Sequence, residues 1–183
     1  MLKRIASNIE ALFRWLAVDP ETLEIKTAID THGGVIVVKG RAGEAGRFIG
    51  VGGTVIKAIQ TIASVASHGR LVVELVNPIN PKGPPIPDNQ WPLPDKIAPI
   101  VGTVKTLVTA VDPEARVRSV GVDNAWIITV MAKSWSPEMD EMVKAFNRVL
   151  DAIARSRRSA IKVILEVGDA VLQQSDTGRA AGS

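Results

Sequence analysis

The chain has 183 residues, enough for one large domain or two small ones. Apolar residues make up 46% and charged residues 22%, so a packed core is expected, and the net charge of +3 permits an anionic partner without demanding one. No cysteine is present and the two histidines, His32 and His68, stand far apart, which excludes a disulfide scaffold, a thiolate site, a Cys nucleophile and a conventional zinc cluster.

In chain order, Leu2, Ile5, Ile9, Leu12, Phe13 and Leu16 fall at steps of three and four, predicting an amphipathic helix that stops before Asp19-Pro20. Lys3, Arg4, Glu10 and Arg14 interrupt it, so it does not read as an export signal. No run is expected to approach the roughly 18 apolar residues of a membrane span. The expectation is a cytoplasmic protein without a membrane partner. Leu23 to Ala28 and the β-branched Val35-Ile36-Val37-Val38 predict a hairpin turning at His32-Gly33-Gly34. Gly43 to Ile49 suits a short helix and Thr54 to Ala66 a longer one, broken by Ser67-His68-Gly69 before a strand at Leu71 to Val76. The order is α-β-β-α-α-β.

Residues 78–95 hold Pro78, Pro81, Pro84, Pro85, Pro87, Pro92 and Pro94, and read as an extended linker; a proline-rich docking motif is the other reading. Trp91 within it is placed to dock between the flanking segments or simply to pack. Those segments repeat. Ala17-Val18-Asp19-Pro20-Glu21 recurs as Ala110-Val111-Asp112-Pro113-Glu114, and Ile56-Lys57-Ala58-Ile59 is echoed by Leu150-Asp151-Ala152-Ile153. Order is kept, which predicts an internal duplication.

Residues 96–168 therefore form a second unit. It has a helix from Ile97 to Val111 behind an Asp95 cap, and strands at Arg116 to Val120 and Trp126 to Met131 around Asp123-Asn124. A helix opening at Ser136-Pro137 and a closing strand at Ile161 to Val167 complete it. Residues 169–183 read as a mobile tail. The fold class is α+β: two tandem units, each a three-stranded sheet with helices on one face.

The chemistry concentrates at Arg47-Phe48-Ile49-Gly50-Val51-Gly52-Gly53-Thr54-Val55-Ile56, where glycines three apart separate two helices. Without Cβ atoms the main chain can turn tightly and phosphate can approach its amides, which join the following helix N-terminus in a positive concavity. A dinucleotide fingerprint would need a glycine where Val55 stands, and the P-loop ending Gly-Lys-Ser/Thr is missing. A plain helix–helix turn is the remaining structural reading.

Here the chain resembles a known family. Ile49-Gly50-x-x-Gly53-x-x-Ile56 is similar to the KH signature, and α-β-β-α-α-β to the type II, bacterial, arrangement of that fold. Residues 1–77 resemble the small bacterial KhpA-like RNA-binding proteins. The resemblance implies a groove for about four nucleotides of single-stranded RNA, with the glycine loop on the backbone and the bases on an apolar floor. The implied RNA-binding residues are Arg47, Ile49, Gly50, Val51, Gly52, Gly53, Thr54, Lys57, His68 and Arg70, with Lys39 and Arg41 beyond them. Val51 and Gly52 depart from the basic or polar residues common at those positions. Arg47 and Lys57 are by default solvated charges, and His68 a turn residue. The chain has no Tyr and few aromatic residues, which argues against a stacking platform.

Aligned on the Leu150-Asp151-Ala152-Ile153 echo, Gly50 and Gly53 correspond to Lys144 and Asn147, so the second unit is expected to have lost the loop. Its two short helices are expected to have fused into one, roughly Pro137 to Ser156. Arg155, Arg157 and Arg158 read as a helix C-terminal charge or an auxiliary nucleic-acid contact. Packing of the second unit on the first as a pseudo-dimer, or a protein partner on its surface, is the expected role. No nucleophile–base pair, metal cluster, cofactor motif or acid pair emerges, so a non-enzymatic RNA-binding protein is expected. The alternatives are a KH-fold interaction scaffold with weak or lost RNA binding, and single-stranded DNA binding.

Overall fold

The computed structural model describes residues 1–40, 43–76, 97–123, 125–155 and 159–168. The linker 78–95 with Trp91, Arg41, the Asp95 cap, Arg157, Arg158 and the tail 169–183 lie outside these residues.

Helix α1, Leu2–Leu16, buries Leu2, Ile5, Ile9, Leu12, Phe13 and Leu16, the stripe that its three- and four-residue spacing dictates. It ends where Ala17 turns extended. Next, the Asp19 carboxylate accepts the Glu21 amide at 3.1 Å and starts a short 3-10 turn, Pro20–Thr22. The same corner recurs at Asp112, whose carboxylate accepts from the Glu114 amide at 2.9 Å. The repeated Asp-Pro-Glu is therefore a repeated local structure, an aspartate closing its own turn.

Strands β1, Glu24–Ile29, and β2, Gly34–Lys39, pair antiparallel. Their turn belongs to Asp30, whose carboxylate takes the amides of His32 and Gly33 at 2.8 and 2.9 Å. Gly34 is already in the strand, one residue earlier than the sequence suggested. Helices α2, Ala45–Ile49, and α3, Thr54–Ser67, then carry the chain over the sheet to β3, Leu71–Val76, which lies parallel to β2. The second half repeats the plan with α4, Ala98–Val111; β4, Arg116–Val122; β5, Ala125–Ala132; α5, Pro137–Arg155; and β6, Ala160–Val167. Again the first pair is antiparallel and the closing strand parallel. The fold is α+β, with two three-stranded mixed sheets.

Side chains pointing inward from each sheet, such as Ile36, Val38 and Val73 in one and Ile128, Val130 and Val163 in the other, are buried beneath the helices. Outward positions are left open, including Val72 and Val76 on one sheet and Val120 and Ile127 on the other. The helical layers meet each other. α3 packs on α5 and α1 on α4, with α3 also touching α4 and α1 touching α5. These reciprocal contacts follow the pattern of a two-fold interface, here within one chain. Arg4 of α1 donates to the Thr106 hydroxyl of α4 at 3.3 Å across it. Buried residues of both halves form one continuous hydrophobic cluster.

Contrary to the sequence expectation, one run, Ala45–Ser67, is long and apolar enough by composition to cross a membrane. The glycine corner breaks it into two helices, and Val55, Ile59 and Ile62 of α3 face the protein core. That apolarity is the composition of a central helix packed on both sides.

Candidate nucleic-acid interface

The loop between α2 and α3 is built almost entirely from backbone constraints. Gly50 closes α2 by donating its amide to Gly46 at 2.9 Å, at φ 70° and ψ 173°, a region only glycine occupies without strain. Gly52 and Gly53 follow at φ 62° and 77°, and the Gly53 amide returns to the Gly50 carbonyl at 3.2 Å. A Cβ on Gly50 would lie 2.6 Å from Val55 Cγ2 and 3.0 Å from the Val55 nitrogen, so this glycine is fixed by packing as well. Gly52 differs: a Cβ there would meet nothing within 4 Å. The loop is tight on its inner side and open on its outer side.

Open main chain offers donors. Val51 is 92% exposed, and among the described residues the amides of Val51 and Gly52 have no protein acceptor. They stand at the start of the 14-residue α3, where the first turn's amides and the helix dipole favour negative charge. Lys57, one turn into α3, is exposed, and its Cε lies 3.6 Å from where a Gly53 Cβ would be. Its stem therefore runs back over the loop, as helix side chains lean toward the N-terminus. Thr54 is exposed, with its hydroxyl 3.0 Å from the same point on Gly50. Arg47, in the last turn of α2, and Ile49 beside it are half-buried.

What holds the loop in place was not anticipated from the sequence. Phe48 is fully buried, its ring 6.0 Å from that of Phe13, and it lies so close over Gly40 that a Cβ there would fall 2.5 Å from the ring. Glu44, just before α2, is also fully buried, and its carboxylate accepts the Val18 amide at 2.7 Å. Together they clamp α2 against the end of α1. A clue lay in Phe48 being one of only three phenylalanines. Nothing in the sequence marks Glu44 as buried.

His68 and Arg70 are not gathered with the others. They follow the C-terminus of α3, about 20 Å from the loop at 1.5 Å per helical residue. His68 caps the helix in a left-handed conformation, and Arg70 donates Nε to the Ser67 carbonyl at 3.2 Å. Both are exposed. Lys39, at the end of β2, lies 3.5 Å from Glu24.

In the second unit one unbroken helix, α5, occupies the corresponding place, opened by Ser136, whose hydroxyl accepts the Met139 amide at 3.1 Å. Its origin differs from the expected fusion. Gln60 of α3 donates to the carbonyl of Val73, and Asn147 of α5 to that of Val163. Val73 pairs with Ile36 and Val163 with Ile128, so the two strand positions correspond. Matching Gln60 to Asn147 also matches the buried faces: Val55 with Met142, Ile59 with Phe146, Ile62 with Val149, Ala66 with Ile153. In this register Gly50 and Gly53 fall on Pro137 and Asp140 rather than on Lys144 and Asn147. Helix α5 is therefore α3 with an added N-terminal turn. Helix α2 and the glycine loop are absent, replaced by the short link Lys133–Ser136. The sequence alignment slipped by seven positions, two helical turns, which leaves an amphipathic face nearly unchanged.

No family model, curated protein or solved structure matches this chain. The site must be read from its own chemistry. Among the described residues, no group of three or more His, Asp or Glu side chains is placed to hold a metal ion.

Proposed function

We propose that the chain binds single-stranded RNA through a KH fold of type II in its first unit, with the Gly50–Gly53 loop on the nucleic-acid backbone. The observation that carries this reading is the loop's open outer face, where among the described residues the Val51 and Gly52 amides are unpaired and Gly52 carries no Cβ. The parallel closing strand and the α2–loop–α3 passage in front of it support the KH assignment. The Lys57 stem over Gly53 adds a positive charge where phosphate would sit. The second unit, lacking α2 and the loop, completes the helical layer of the first and takes no backbone of its own.

Replacing Val51 and Gly52 together by Asp tests this. Asp tolerates the left-handed conformation of Gly52, and both positions face open space, so the fold should stand. The expected result is a loss of RNA affinity of tenfold or more at an unchanged melting temperature. Unchanged affinity would move the assignment to another surface, or to a scaffold role.

A further inference from the structure

Glu44 is the one charged side chain among the described residues that is fully buried. A carboxylate out of water is costly unless hydrogen bonds replace its lost solvation, and this one accepts the Val18 amide at 2.7 Å. Against apolar residues of similar volume a buried charge adds little net stability, so its use here points to geometry.

The second unit supplies an internal control. The Asp-Pro-Glu corner has one conformation in both units: Asp19 has φ −126° and ψ 101°, Asp112 φ −125° and ψ 100°. In the second unit the corner follows α4 directly, with Asp112 donating its amide to the Val108 carbonyl at 3.0 Å. Val111, the counterpart of Val18, is still the last residue of that helix. In the first unit α1 ends earlier, at Leu16, Ala17 turns extended, and Val18 gives its amide to Glu44 instead. The corner therefore folds without a buried acid. Among the described residues, the acid occurs only in the unit that has α2 and the glycine loop.

Glu44 stands at the head of α2, whose five residues are too few to hold a helix by themselves. Anchors must place it. Phe48 fixes the far end by burial, and Glu44 the near end by a directed hydrogen bond. Gly50 follows at once, its amide on the Gly46 carbonyl, so whatever fixes α2 also aims the Val51 and Gly52 amides. Donors that are already aimed cost less to order when a ligand binds.

We infer that Glu44 is a positioning residue for the RNA-binding loop, its buried carboxylate tying the start of α2 to the Val18 amide. This rests on the RNA-binding reading above and names the contact through which the end of α1 sets the loop's affinity.

The test compares the full-length wild type with Glu44→Gln, which keeps an acceptor oxygen, and Glu44→Leu, which keeps bulk without one. Affinity for a short single-stranded RNA of mixed sequence is measured across salt, well below each melting temperature. Glu44→Leu should still fold and bind about tenfold more weakly, and Glu44→Gln should stay within about threefold of wild type. The salt slope should not change in either, because no phosphate contact is removed. Without RNA, the hydrogen-bonded amides of Gly50 and Gly53 should exchange about tenfold faster in Glu44→Leu, and those in the middle of α5 at the wild-type rate.

Wild-type affinity in Glu44→Leu overturns the inference and leaves the RNA-binding reading standing. So does a shallower salt slope, which would make Glu44 part of the contact surface, or a Glu44→Gln as weak as Glu44→Leu. A Glu44→Leu that does not fold overturns it too, since the acid would then hold the whole unit rather than the loop. A wild type that binds no RNA overturns the RNA-binding reading, and the exchange rates alone then decide whether Glu44 holds the loop.

Discussion

The Asn147 carboxamide lies beside Val163 as one more peptide unit would, with two hydrogen bonds of 2.8 Å. A free strand edge is a template for another strand, and β6 is an eight-residue edge rich in Ile, Val and Leu. The asparagine occupies the middle of it from the neighbouring helix. Removing it by Asn147→Ala should cost about 1–3 kcal/mol, from two partly buried hydrogen bonds of roughly 0.5–1.5 kcal/mol each. Self-association should also rise, because the edge is uncovered. Denaturant unfolding and light scattering at increasing concentration check the two effects separately. An unchanged midpoint together with an unchanged monomer fraction would show that the amide guards nothing.

The glycines of the loop should separate in their tolerance. Gly50→Ala forces a side chain into φ 70°, ψ 173° and against Val55 Cγ2 at 2.6 Å, so it should lower stability by more than the roughly 1–3 kcal/mol of the backbone strain alone. Gly52→Ala meets no atom and carries only the left-handed penalty of about 1–2 kcal/mol. Chemical denaturation of the two variants should rank Gly50→Ala as clearly the less stable. Equal losses would mean that the packing against Val55 contributes little.

Element order was legible because the signals were local. The stripe from Leu2 to Leu16, the β-branched run at Val35–Val38 and the glycine breaks at Gly50 and Gly69 each fix one element from its own residues. What escaped the sequence depends on distant partners. Glu44 reads as a surface acid until Val18 is found beside it. The distance of His68 and Arg70 from the loop, by contrast, was already implied by the length of the helix expected from Thr54 to Ala66. The register of α5 escaped for another reason: a seven-residue slip returns an apolar stripe almost to itself, so periodicity could not tell fusion from deletion. Only the hydrogen bonds of Gln60 and Asn147 to matching strand positions settle it.

Acid should loosen the β1–β2 turn at a definite point. The Gly33 amide, and after it the His32 amide, hold the Asp30 carboxyl below its ordinary value, with slight desolvation opposing them. A group with a depressed folded-state pKa contributes stability above its unfolded pKa and loses it as pH falls through the folded one. The contribution of Asp30 should therefore be constant from neutrality down to the ordinary aspartate range near about pH 4. Below that range it should fade. Asp30→Ala should melt below wild type at pH 7, and the gap should close in stronger acid. A gap that persists unchanged would assign the effect to something other than the charge.

Lys57 offers the most direct quantitative check on the proposed interface. It carries the positive charge whose stem overlies Gly53, and none of the observed ion pairs or side-chain hydrogen bonds engages its ammonium among the described residues. A cation that neutralises one phosphate of a single strand contributes about −0.7 to the slope of log affinity against log salt. Lys57→Ala should therefore make that slope shallower by about 0.7, with a larger loss of affinity at low salt than at high salt. Lys133→Ala, in the link that replaces the loop in the second unit, should leave the slope unchanged, since that unit presents no open glycine backbone. Titrations of one oligonucleotide at several salt concentrations read both variants. An equal change in the two slopes would point to diffuse attraction by the whole surface, whereas a change confined to Lys57 places a phosphate beside Gly53.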